Sequence, residues 1–181
     1  MAALKIGLLV MLAISCIFEE RRSQQKLLPI NDTILVAESH QLVAINKNAR
    51  LQQVRLIKVN SFPVSGNKKF CLLFNDVQMQ SAPEGVYEIY LNKRKEDSLA
   101  LEPGSKLFVN VVDTYMLKEK KGEHSFCLDA SGGIAVLAIN NNLPPDFYVT
   151  VLFRGNLLPD KKEATNTGSL TIKGIQLMQI Q

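Results

Sequence analysis

Residues 147–155, FYVTVLFRG, set Phe147, Val149, Val151 and Phe153 against Tyr148, Thr150, Leu152 and Arg154. Successive side chains of an extended chain point to opposite faces, so this alternation predicts a strand with one face on a core. Its β-branched and aromatic content suits a pleated, half-buried surface. Pro144 and Pro145 stand just before it, and the turn formers and charges of 156–169, NLLPDKKEATNTGS, follow. The chain then returns in 170–180, LTIKGIQLMQI, where Gly174 marks a bulge between Ile172 and Ile175.

Upstream the same grammar repeats. In 86–92, VYEIYLN, Tyr87, Ile89 and Leu91 share the better core face, and Val86, Glu88 and Tyr90 share the other. A turn at Pro103 and Gly104 delivers 107–113, LFVNVVD, apolar on both faces as befits a strand covered on both sides. Residues 69–79, KFCLLFNDVQM, place Phe70, Leu72 and Phe74 on one face before Asn75 and Asp76 break the run. Shorter strand candidates lie at 32–39, 40–45, 51–59 and 122–129. Residues 131–146, SGGIAVLAINNNLPPD, fit one or two helical turns as well as a strand. About seven short strands with little helix predict an all-β fold, an antiparallel β-sandwich or jelly-roll-like barrel.

The chain has 181 residues, 46% hydrophobic and 21% charged, which is the composition of a globular protein of one domain. Its net charge of +4 is spread over short lysine and arginine groups with no aromatic-rich motif of an RNA-binding sheet, so nucleic acid is not an expected partner. Residues 1–18 combine Lys5 with an apolar run from Ile6 to Phe18, followed by charge at Glu19 to Arg22. That is the layout of a secretory signal peptide and is short for a spanning helix; an uncleaved anchor or an apolar helix are the alternatives. The expected division is therefore a signal peptide at 1–18, a partly ordered lead-in at 19–50 and a β-domain at 51–181, with no transmembrane span after cleavage and a destination in the secretory pathway, extracellular or vacuolar. In that compartment Cys71 and Cys127 form either one disulfide or two buried free thiols, and Cys16 lies beside the signal. Asn31 heads the one Asn-x-Ser/Thr sequon and is a glycosylation candidate.

Taken in order, LLFNDVQM, VYEIYLN, KLFVNVVD, SGGIAVLA, PPDFYVTVLFRG and GSLTIKGIQL give the chain a resemblance to the C-terminal domain of plant polyphenol oxidases, over residues 70–180 and more weakly over 30–69. Val86 to Asn92 is similar to that family's Lys-Phe-Asp-Val-Tyr-Val-Asn strand. Ser105 to Val111 is similar to its Gly-Ser-Phe-Val-Asn-Val-Pro-His segment, and Thr171 to Ile175 to its terminal Thr-Ile-Gly-Gly-Ile. The chain departs from the pattern at Tyr87-Glu88 for Phe-Asp, at Val112-Asp113 for Pro-His, and at Lys173 for the first terminal glycine. The resemblance implies a domain that packs over a binuclear copper site and keeps the enzyme latent. Such a copper pair takes three imidazoles on each metal, whereas this chain has two histidines, His40 and His124. What the resemblance implies is thus the shielding domain alone, without copper catalysis and without a cofactor, acting on a polyphenol-oxidase-type catalytic domain or another partner.

A metal-free enzyme of plant specialised metabolism is the other reading. It would be a cyclase, isomerase or stereocontrol factor acting on a phenolic or alkaloid metabolite, with Tyr90, Asp113, Tyr115 and His124 as the proton donors and acceptors. A His124–Cys127 nucleophile pair is disfavoured, because strand alternation puts the two on opposite faces. No nucleophile elbow or phosphate-binding glycine loop is present.

Overall fold

The structure is a computed structural model that describes residues 33–60, 63–64, 68–81, 83, 85–95, 107–112, 124–155 and 167–180. The signal peptide, Cys16, Asn31, Asp113 and Tyr115 lie outside the described residues.

Nine strands and one short helix make up the described chain: β1 (Thr33–Ser39), β2 (Val43–Ile45), β3 (Leu51–Lys58), β4 (Lys69–Ser81), β5 (Val86–Asn92), β6 (Phe108–Val112), β7 (His124–Asp129), α1 (Ser131–Leu137), β8 (Asp146–Arg154) and β9 (Ser169–Ile180). All pair antiparallel in one sheet of order β6-β5-β8-β3-β1-β9-β4-β7, with β2 beside β9. The sheet curls until its margins, β6 and β7, come into contact, so the all-β architecture is a nearly closed barrel. Two strands, β1 and β2, come from the stretch whose sequence suggested a lead-in. Val36, Ala37, Val43 and Ile45 place that stretch in the core.

The core is the inside of the curl. Val54 and Leu56 of β3 stand opposite Val149 and Phe147 of β8, and Tyr87, Ile89 and Leu91 of β5 stand opposite Phe153, Val151 and Val149. All are buried, as the period-two pattern requires. Tyr87 has a polar tip, and its hydroxyl donates to the carbonyl of Thr167 at 2.7 Å.

Asn75 and Asp76 do not end β4. Asp76 takes φ 50°, and the strand continues to Ser81 with its register to β7 shifted between Phe74 and Val77. Against β9 the register runs on unbroken past Asp76 as far as Met79, because β9 changes face at the same level. Phe74 faces Ile175 and Val77 faces Ile172, three residues apart on each strand and all buried. Gly174 sits inside that change of face, so the irregularity at this glycine is shared with Asp76 across the ladder. β9 also changes partner here, from β1 at Ile175 to β2 at Ile172.

The ambiguous 131–146 stretch resolves into α1 followed by a hairpin. Gly133, Ile134 and Leu137 face inward, and a Cβ on Gly133 would lie 2.9 Å from Leu91 Cδ1, so the helix sits on the end of β5 at glycine distance. Its start is fastened to β4, with Ala130 N donating to Phe70 O and Phe70 N to Ser131 Oγ, each at 2.9 Å. The helix stops before the prolines. Asn140 and Asn141 both adopt positive φ and close a tight turn between Ile139 and Asn142, a conformation asparagine tolerates better than most residues.

Candidate functional site

β5 is buried on both sides, which its sequence did not announce. Outward on the sheet, Val86, Glu88, Tyr90 and Asn92 stand opposite Arg154, Leu152, Thr150 and Tyr148 of β8. Glu88, Tyr90, Asn92 and Thr150 are at most 2% exposed. A carboxylate and three other polar side chains out of water demand internal partners, since an uncompensated buried polar group costs about 1–3 kcal/mol and a charge more.

Most of the partners are present. Tyr90 Oη donates to Glu88 Oε2 at 2.6 Å, and Arg154 reaches the same oxygen through Nε and Nη2, each at 3.0 Å. Arg154 Nη2 also donates to Tyr90 Oη at 3.4 Å. Burial, then the hydrogen bond to Glu88, pushes the Tyr90 phenol above its ordinary range. Burial opposes the charge of Arg154, but hydrogen bonds to Tyr90 and Glu88 outweigh it and hold the guanidinium pKa above its ordinary value. Tyr90 is therefore a phenol fixed as a donor to an ion pair, with its ring edge-on to Phe108 at 5.5 Å between centroids.

One turn of the pleat further on, Gln53 Nε2 donates to Thr150 Oγ1 at 3.0 Å, and Thr150 Oγ1 donates to Asn92 Oδ1 at 2.9 Å. Asn92 Nδ2 is buried and finds no hydrogen-bond partner among the described residues. At the end of β8 the row gives way to an open ion pair, in which Arg55 Nε donates to Asp146 Oδ2 at 2.6 Å.

Of the residues singled out from sequence, Tyr90 is in this row. His124 is not: it opens β7 opposite Val77, and β6 lies between β5 and the seam with β7. Cys127 is bonded to Cys71, with 5.7 Å between their Cα atoms, so it has no thiol to offer His124. His40 is exposed and lies 3.5 Å from Glu38 Oε2. Among the described residues no group of three or more His, Cys, Asp or Glu side chains is placed to hold a metal ion.

Glu88, Asn92, Thr150 and Arg154 were missed by sequence reasoning because polar residues alternating with a full apolar face look like the solvent side of a strand. The available signal was the apolar share of that same side, namely Val86, Tyr90 and Leu152.

No protein-family model matches this chain, and no curated protein matches it either.

Proposed function

We propose that this chain is a secreted, non-catalytic binding module, a stand-alone domain of the polyphenol-oxidase C-terminal type that docks on a phenol-oxidising enzyme and regulates it. The ordered motifs around Val86–Asn92, Ser105–Val111 and Thr171–Ile175 suggest the type. The observation that carries the non-catalytic part is the state of Tyr90. Its hydroxyl is spent on Glu88, it is sealed from solvent, and its phenol is held protonated, which is the profile of a structural group rather than of a proton shuttle.

The test is a titration of the chain into a protease-activated polyphenol oxidase while phenol oxidation is followed. Saturable inhibition supports a detached shield. Unchanged activity over a large molar excess, with no complex on size-exclusion chromatography, removes this reading.

One observation favours the metal-free enzyme instead. Asn92 Nδ2, on the same side of the sheet as Tyr90 and Thr150, is a buried donor without a partner among the described residues, and a carbonyl or phenolic oxygen of a metabolite is a group it could bind. Under that reading Asn92→Ala abolishes turnover; under the regulatory reading there is no turnover to abolish.

A further inference from the structure

Antiparallel pairing brings the starts of β1, β4, β6 and β8 and the ends of β3, β5, β7 and β9 to one end of the barrel, and α1 lies against that end. Three of the six large apolar side chains exposed among the described residues are found there. Val59 stands just past β3, Val136 on α1 and Ile139 in the turn after it, 46%, 46% and 52% exposed. Lys58 N donates to Pro145 O at 2.9 Å and Val64 N to Asn141 O at 2.6 Å, so the chain leaving β3 runs along the turn that carries Ile139. Gly133, Ile134 and Leu137 take the barrel side of α1, which leaves Val136 on the side facing away.

Cations gather at the same end from stretches far apart in sequence. Lys58 closes β3, Lys68 and Lys69 open β4, and Lys93 follows β5; Arg94 and Lys95 come next and are themselves engaged. Lys58 Nζ and Lys68 Nζ donate to carbonyl oxygens, of Leu143 at 3.3 Å and Pro63 at 3.4 Å, which hold the amines without cancelling their charge. Among the described carboxylates nearby, Asp146 is paired with Arg55, and Asp129 accepts from Ser131 N at 2.9 Å. Glu38 stands opposite Ile57, further from the end, and accepts from Gln176. The lysines therefore outweigh the carboxylates around the three apolar tips. The N-terminal stretch meets the same end. β1 starts there at Thr33, opposite Ile180, so the apolar run from Ile6 to Phe18 belongs to the chain that joins the barrel at its basic end. A run of that kind enters a bilayer as a signal or an anchor, and an uncleaved one would hold this end at the membrane.

We infer that the α1 end of the barrel is a docking face for a membrane surface of anionic phospholipid. The lysines lie at the level of the headgroups, and Val59, Val136 and Ile139 enter the boundary between headgroups and acyl chains. Interfacial binding uses this pairing, in which buried apolar area and attraction to anionic lipid act together. A nucleic acid would use the lysines and leave the apolar tips in water. The inference does not depend on the regulatory role proposed above.

The full chain is titrated with phosphatidylcholine vesicles prepared with and without phosphatidylserine, and hydrogen exchange maps the footprint. The anionic vesicles are expected to bind about tenfold or more tightly than the neutral ones, less so as salt rises, and to protect residues 93–95 and 131–142. Lys69→Glu combined with Lys93→Glu is expected to remove most of that preference, and Val136→Ser combined with Ile139→Ser to weaken binding about tenfold. Lys47→Glu combined with Leu51→Ser, exposed at the opposite end, is expected to change neither. All six positions are exposed, so unchanged urea midpoints show that each variant is folded. The run from Ile6 to Phe18 can enter a bilayer by itself. Binding that is equal for the two vesicle types and indifferent to the variants is therefore due to that run and overturns the docking face, as does the absence of binding. Protection of 93–95 and 131–142 by activated polyphenol oxidase or by single-stranded RNA, and not by vesicles, overturns the assignment to a membrane.

Discussion

A methyl group at Gly168 has nowhere to go. The residue holds φ +66°, and a Cβ there would lie 2.7 Å from Ser81 O, 2.8 Å from Pro83 N and 2.9 Å from Tyr87 Oη. Two of those neighbours are backbone, so the strain cannot be shed by turning a side chain. Gly168→Ala is expected to cost about 1–3 kcal/mol or more, read as a lowered urea midpoint at unchanged slope. The two ion pairs of the β3–β8–β5 ladders offer a sharper contrast. Glu88→Gln removes the counter-charge of Arg154 within the buried row and is expected to cost about 2–3 kcal/mol. Asp146→Asn breaks the exposed pair with Arg55 and is expected to cost under about 1 kcal/mol. Equal effects in the two variants would mean that the row is not buried. Tyr87 adds a pH dependence. Burial pushes its phenol up to about 12, whereas an unfolded tyrosine ionises near about 10. Between those values the unfolded state has lost a proton that the folded state keeps, so stability falls as pH rises through the window. Tyr87→Phe is expected to flatten that fall, measured as urea midpoints below and within it, at the cost of about 1–2 kcal/mol near neutral pH for the lost bond to Thr167.

At the scale of elements, β7 is a terminal strand whose ladder partner is β4, and Cys71–Cys127 joins those two. In the chain-entropy account a bridge across 56 residues stabilises by about 4 kcal/mol. Cys127→Ser is expected to lose much of that and to speed amide exchange in β7 and α1 before β5 or β8; uniform exchange across the sheet would show that the bridge pins no particular strand. How legible each element was follows from its local physics. β8 was plain because nine residues keep strict alternation between one buried and one outward side. β4 was cut short because Asn75 and Asp76 are turn formers, and nothing local shows that Asp76 takes φ 50° while β9 flips face opposite it. The helix could not be told from a strand by period, since its few residues fit both; Gly133 against Leu91 decides it, and Leu91 lies far away in sequence. The strands β1 and β2 were undervalued because they are short, and their burial comes from β9 at the far end of the chain.

For the whole molecule, the all-β class could be read from spacing, but which side of each strand faces water could not. Glu88, Tyr90 and Asn92 have the pattern of a solvent face, yet they are buried, and their hydrogen-bond partners Arg154 and Thr150 come from β8, more than fifty residues away in sequence. The sequence thus marks Tyr90 by its chemistry but not Glu88 and Arg154, the residues that fix its state. The outward side of the sheet differs along its width: over β5 it carries buried polar side chains, and over β3 it leaves Leu51 and Ile57 exposed. A chain that binds a partner without converting metabolites, as proposed above, is distinguished from an enzyme by a single incubation. The purified chain is mixed, free of metal, with a phenolic and amine-containing metabolite extract, and products are followed by mass spectrometry with a heat-denatured control. The expected result is a product profile identical to the control, with slowed phenol oxidation when activated polyphenol oxidase is added to the same mixture. A new product that depends on the folded chain alone would contradict the non-catalytic reading and make Tyr90, Asn92 and His124 candidate catalytic groups.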